Sequence, residues 1–217
     1  MRVIVAGGHG QIALRLQRAL TATGHAALGI VRDPAHIDDV RATGADAVVC
    51  DLEHAALDQV AGLIAGADAV VFAAGAGPGS GAARKETVDH AAAVLVAEAA
   101  ERAGVRRFVQ ISSMGAGSSP PPGTDDVFAA YLRAKSAAED DLRSRDLDWT
   151  ILRPGRLTNR PGTGRVGLGP PPLGRGEVSR DDVAAVTAAL LVDPHSTGQT
   201  LELVGGDTPI ADAVRQL

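Results

Sequence analysis

Tyr131 and Lys135 stand four residues apart in a stretch with helical patterning, which puts both side chains on one helix face. An ammonium near a phenol favours the phenolate and makes it a usable general acid or base near neutral pH. Ser112 and Ser113 close an apolar run 18 positions before the tyrosine. A serine there can orient a substrate carbonyl. A Tyr-x-x-x-Lys spacing also arises by chance on helices, so its meaning depends on the rest of the chain.

The support comes from the first residues. Gly7-Gly8-His9-Gly10-Gln11-Ile12-Ala13 directly follows an apolar run and opens a helical pattern. A tight strand-to-helix turn needs residues without Cβ, and it lets backbone N–H groups approach a pyrophosphate at the positive helix end. The spacing is G-x-x-G-x-x-A rather than G-x-G-x-x-G; the bland alternative is a tight turn with no ligand. His9 either approaches a phosphate or faces solvent. At the end of the second apolar run, Arg32 precedes Asp33. An arginine there suits the 2′-phosphate of NADP, and an acid suits NAD. The reading favours NADP and keeps NAD possible, with two solvated loop charges as the alternative. Asp51 and Leu52 would flank the adenine. Ala73, Ala74 and Gly75, with Gly77 beyond, would let the backbone pass the cofactor. Cys50 reads as a small buried apolar residue.

These residues must be positioned by alternating elements. Strands are expected over Arg2–Ala6, Ala27–Val31, Ala47–Asp51, Ala69–Ala73, Arg107–Ser112, Trp149–Arg153 and Thr200–Val204. Their continuous apolar character fits strands buried on both faces. Helices are expected over Gln11–Thr21, Asp33–Thr43, Ala56–Ile64, Ala82–Ala103, Asp125–Arg145, Arg180–Val192 and a short Ile210–Gln216. Gly24, Gly66 and Gly104 read as helix stops, and Ser179-x-x-Asp182 as a helix start. The repeated βα order implies an α/β fold, a doubly wound parallel sheet with helices on both faces. Gly115–Asp126 and Pro154–Glu177 break the rhythm and read as long loops on the ligand side of the sheet. Their triple prolines are read as stiff loop segments rather than as SH3-type ligands.

Composition narrows the function. The chain has 217 residues, within reach of a single domain. A net charge of −5 lacks the basic footprint of a nucleic-acid binder, and five aromatic residues make no stacking platform for bases. One cysteine excludes a disulfide framework and a multi-thiolate metal site. No H-E-x-x-H and no Walker lysine is present, and Ser80 between Gly79 and Gly81 has the wrong spacing for a nucleophile elbow. The longest apolar run, Ala91–Ala97, is far short of a membrane span, and no signal peptide precedes the first apolar run, so a cytoplasmic protein is expected.

Taken together, GGHGQIA, AGVRRFVQISSMGA, YLRAKSAAED, LDWTILRPGRLT and SRDDVAAVTAALL resemble the short-chain dehydrogenase/reductase superfamily. The resemblance is strongest to its atypical, single-domain NAD(P)-binding members, often called epimerase-like or NmrA-like, and it covers nearly the whole chain. It implies a Rossmann-type domain over residues 1–217, with small substrate-side elements from about 154 to 217. It implies that Tyr131 donates or accepts the proton and that Lys135 binds the nicotinamide ribose and tunes the tyrosine. Ser113 would orient substrate, with Ser112 nearer the cofactor. Asp89 would stand where many members carry an asparagine, altering the proton relay. Arg153, Pro154 and Gly155 would border the nicotinamide carboxamide.

The expected activity is NADP-dependent hydride transfer to or from a small carbonyl, quinone or similar substrate, with no metal. The alternatives are an NADP(H)-sensing regulator without turnover and a cofactor-dependent epimerase or isomerase. No nucleic-acid or membrane partner is expected. A monomer and a homodimer paired through Ala82–Ala103 and Asp125–Arg145 are both open.

Overall fold

In a computed structural model, residues 1–77, 79–120 and 123–217 are described. Pro121 and Pro122 of the first triple proline lie outside them. The chain runs through β1 (Arg2–Ala6), α1 (Gln11–Ala22), β2 (Ala26–Val31), α2 (Ile37–Arg41), β3 (Asp46–Val49), α3 (Leu57–Ile64) and β4 (Ala69–Phe72). There follow α4 (Ala82–Arg84), a π-turned segment (Lys85–Ala91), α5 (Ala92–Arg102), β5 (Arg107–Ile111), α6 (Asp126–Arg143), β6 (Asp148–Pro154), β7 (Arg156–Thr158), β8 (Arg165–Gly169) and β9 (Glu177–Ser179). The end is α7 (Arg180–Val192), β10 (Gln199–Gly205), β11 (Thr208–Pro209) and α8 (Ile210–Arg215).

The main sheet has the order β11-β8-β10-β6-β5-β4-β1-β2-β3. All pairs from β3 to β10 are parallel. Each central strand is buried on both sides because its residues feed two cores in turn. In β1, Val3 and Val5 pack under α1, α2 and α7, while Ile4 and Ala6 pack under α3, α5 and α6. The result is the doubly wound Rossmann-type arrangement, with its strand order reversing between β1 and β4. In such sheets the reversal opens a crevice at the carboxyl ends of the strands.

Three expectations about elements need correction. The Asp33–Thr43 helix is a tight turn over Pro34–His36 followed by a five-residue α2. Asp33 caps it by accepting from the Ala35 N–H at 2.9 Å, and Pro34 closes the first turn tightly. The Ala82–Ala103 helix is interrupted by the π-turned segment. Pro154–Glu177 is not a loop. β8 pairs antiparallel with β10, β11 pairs antiparallel with β8, and β7 pairs with β9 in a separate two-stranded sheet. In the short RVGLG strand only every second residue is apolar, which prolines and glycines on either side conceal in the sequence.

The boundary signals are used as expected. Ser179 Oγ accepts from the Asp182 N–H at 2.9 Å and starts α7. Among the described residues, no helix is long and apolar enough to cross a membrane.

Candidate functional site

The glycine turn is built against its neighbours. Gly7 has φ +81°, and a Cβ there would stand 2.5 Å from the Ala74 Cα. A Cβ on Gly8 would stand 2.7 Å from the Gly29 Cα. The absence of side chains therefore lets the turn nest between β2 and β4. Buried Gln17, one helical turn beyond Ala13, donates to the Gly8 carbonyl at 2.7 Å and the Ala13 carbonyl at 2.9 Å, fixing the turn from below. Gln17 was not anticipated from the sequence; its signal is a polar residue on the apolar stripe of α1.

Above the turn lies a cavity of about 300 Å³ at the carboxyl ends of β1 to β4. Gly7, His9 and Gly10 line it from the turn, and Ala73, Ala74 and Gly75 from the end of β4. Arg32, Asp51 and Leu52 form its far end. Nine of the expected cofactor-binding residues thus converge on one crevice, with Cys50 buried in its wall. Gly8, Gln11 and Ile12 do not line it: Gly8 is buried against β2, Gln11 is exposed, and Ile12 packs toward α7. Ser112, Lys135, Pro154 and Gly155 lie beyond it, on the β5 and β6 side. The Ser112 hydroxyl donates to Glu139 Oε1 at 2.6 Å. Glu139, fully buried, also pairs with Arg153 and with Arg143. The Pro154 carbonyl accepts from the Met114 N–H at 3.0 Å, and the Gly155 N–H donates to the Leu203 carbonyl at 2.8 Å.

The distal end of the cavity carries charge that sequence reasoning missed. Glu53, after β3, accepts from Arg32 at 3.1 Å, Arg84 at 2.7 Å and Thr87 at 2.6 Å. The Arg84 guanidinium first, then the Thr87 hydroxyl and Arg32, hold its carboxyl down to about 2. Asp33, the rival to Arg32, has its carboxylate engaged as the helix cap. The His9 and His36 rings stack with centroids 3.6 Å apart, and His9 Nε2 lies 2.8 Å from Asp39. The Asp51 carboxylate is held low, chiefly by the His54 imidazole at 2.9 Å.

Around Tyr131 the structure assembles a second cluster. Lys135 is buried, its Nζ 5.8 Å from the centre of the Tyr131 ring. It donates to the Ile111 carbonyl at 3.2 Å and lies 3.3 Å from Asp89 Oδ1. That last contact is Coulombic, without the alignment of a hydrogen bond. Asp89 is fully buried, and its Oδ2 accepts from the Ala76 N–H at 3.2 Å, tying the loop after β4 to the lysine. A second buried lysine, Lys85, stands 5.3 Å from the Tyr131 ring centre and donates to the Gly77 carbonyl at 2.9 Å. Its sequence signal was available: Lys85 and Asp89 repeat on one helix the four-residue spacing of Tyr131 and Lys135. The half-buried Ser113 donates to the Met114 carbonyl at 3.2 Å.

Comparison with known proteins places this geometry. The model of the NAD(P)H-binding family matches residues 7–194. The Bacillus subtilis (strain 168) protein named "Uncharacterized sugar epimerase YhfK" is 35% identical over the full length of both chains. A solved structure from Bacillus halodurans, described as a candidate NAD-dependent epimerase/dehydratase, is 39% identical, covers both chains completely and superposes with a TM-score of 0.92. ChuY of Escherichia coli O157:H7, described as an anaerobillin reductase, is 25% identical, covers 95% of this chain and 98% of its own, and gives 0.80. The chain belongs to the NAD(P)H-binding family.

Proposed function

We propose that the protein is an NADP-dependent oxidoreductase acting on a small carbonyl, quinone or similar electrophile. The observation that carries the reading is the juxtaposition of a glycine-cradled crevice with a tyrosine flanked by buried lysine. The crevice fits a dinucleotide: the glycine turn offers a cradle that Cβ atoms would fill, and an arginine stands at its adenosine end. The nicotinamide, when bound, supplies or accepts the hydride.

The chain's residues do the rest. Gly7, His9 and Gly10 face the pyrophosphate, Gly8 seats the turn against β2, Gln11 and Ile12 offer the first backbone N–H groups of α1, Arg32 takes the 2′-phosphate, and Asp51 and Leu52 hold the adenine. Ala73, Ala74 and Gly75 keep the wall of the crevice low. Ser112, Pro154 and Gly155 shape the nicotinamide side. Tyr131 passes the proton to or from the substrate oxygen, which Ser113 orients. Lys135 holds the ribose and supplies positive charge beside the phenol. Asp89 fixes Lys135 in that position. Two relatives support neighbouring chemistries, since one is named a sugar epimerase and another a reductase. Turnover without net NADPH oxidation would favour the epimerase.

Tyr131→Phe tests the assignment. NADPH affinity should stay within about twofold of wild type while kcat falls by roughly 10²–10⁴. Normal turnover by the variant in a carbonyl and quinone screen would remove the tyrosine from the mechanism.

A further inference from the structure

We infer that Arg84 is the second arm of the subsite that recognises the cofactor 2′-phosphate, facing Arg32 across the distal end of the crevice. Arg32 reaches in from the end of β2 and Arg84 from the short α4, so the two come from separate elements. Both guanidiniums converge on one oxygen, Glu53 Oε2, at 3.1 and 2.7 Å. Glu53 is itself oriented by the Thr87 hydroxyl on its other oxygen. All three charged side chains line the cavity.

At Glu53 two guanidiniums share one carboxylate, and the other carboxylate lining the cavity, Asp51, is engaged by the His54 imidazole at 2.9 Å and by the Glu53 N–H at 3.1 Å. A phosphomonoester carries close to two negative charges at neutral pH and three acceptor oxygens. It matches two guanidinium forks in both charge and geometry, whereas a single carboxylate satisfies only part of them. Glu53 thus acts as an internal anion that keeps both arginines converged until a stronger acceptor shares them. Both arginine side chains remain about half exposed, 55% for Arg32 and 41% for Arg84, so a ligand can reach them. An NAD ribose offers only a hydroxyl at that position, and the arrangement gives it no advantage.

The inference rests on the assignment of Arg32 to NADP, and its test separates the two. Wild type, Arg32→Ala and Arg84→Ala are titrated calorimetrically with NADP, NAD, adenosine 2′,5′-bisphosphate and 5′-AMP. Each variant should lose at least tenfold in affinity for NADP and for the bisphosphate, and stay within about twofold for NAD and 5′-AMP. Arg84→Lys should recover part of the loss, and unchanged melting curves certify the fold. If Arg32→Ala collapses the NADP preference and Arg84→Ala leaves it intact, the Arg84 assignment is overturned and the Arg32 reading stands. If neither variant alters the preference, the NADP reading fails and takes Arg84 with it.

Discussion

Glu53 receives three donors at a position where a free carboxylate would oppose an anionic ligand, and those donors set its protonation. A carboxyl held below its ordinary range contributes stability that is fully present above about pH 4.5 and is lost as pH falls through about 2. Glu53→Gln should therefore unfold more easily than wild type at neutral pH, by roughly 1–2 kcal/mol after discounting for its half-exposed arginine partners. The difference should close as the pH falls from about 4.5 to about 2. Urea unfolding across that range checks it, and a gap that persisted at the acid end would assign the loss to packing instead. Neither Glu53 nor Arg84 was legible as a candidate-site residue, because nothing in a linear text says that residues 31 positions apart form one ion pair. Arg32, Tyr131 and Lys135 were legible because each carries a local cue, the end of a strand or a helical spacing.

At the scale of elements, the glycine turn shows why residue type and position agree. Gly7 is required twice, by its left-handed backbone and by the Ala74 backbone that a Cβ would strike. Gly7→Ala should cost about 2–4 kcal/mol in denaturant unfolding, from backbone strain plus overpacking. Substitution at Gly24, which also has positive φ but no heavy atom near an added Cβ, should cost less, limited to the strain. Equal losses would mean that the close approach to β4 does not matter. Most strands were legible because a strand buried on both faces is written as an unbroken apolar run; β1 matches its expected bounds residue for residue. β7, β8 and β9 were not, since runs of three to five residues carry too short a pattern. The π-turned segment was hidden for another reason: its residues keep helical composition, and Lys85, Val88 and Asp89 face inward at the spacing of an ordinary α-helix, so no pattern in the sequence marks the wider turn.

For the molecule as a whole, the crevice joins the ends of four strands, so filling it ties β1 to β4 together. A ligand bound only by the folded state, at a hundred times its dissociation constant, adds about 2.7 kcal/mol. For a chain of this size that is a rise of roughly 5–10 °C in melting temperature. NADP should produce that shift, and NAD at the same concentration a much smaller one. Equal shifts in a melting scan would refute the cofactor preference. Every residue lining the crevice falls at or before Ala92, whereas Ser113, Tyr131 and Lys135 come after it. The crevice and the Tyr131 cluster are therefore encoded largely in consecutive stretches, joined across the seam by Lys85 reaching Tyr131 and Asp89 reaching Lys135. On the proposed assignment, a chimera that exchanges the second half between relatives can inherit a new substrate preference while keeping the adenosine end of the crevice, provided the incoming tyrosine and lysine meet a matching pair on the retained π-turn.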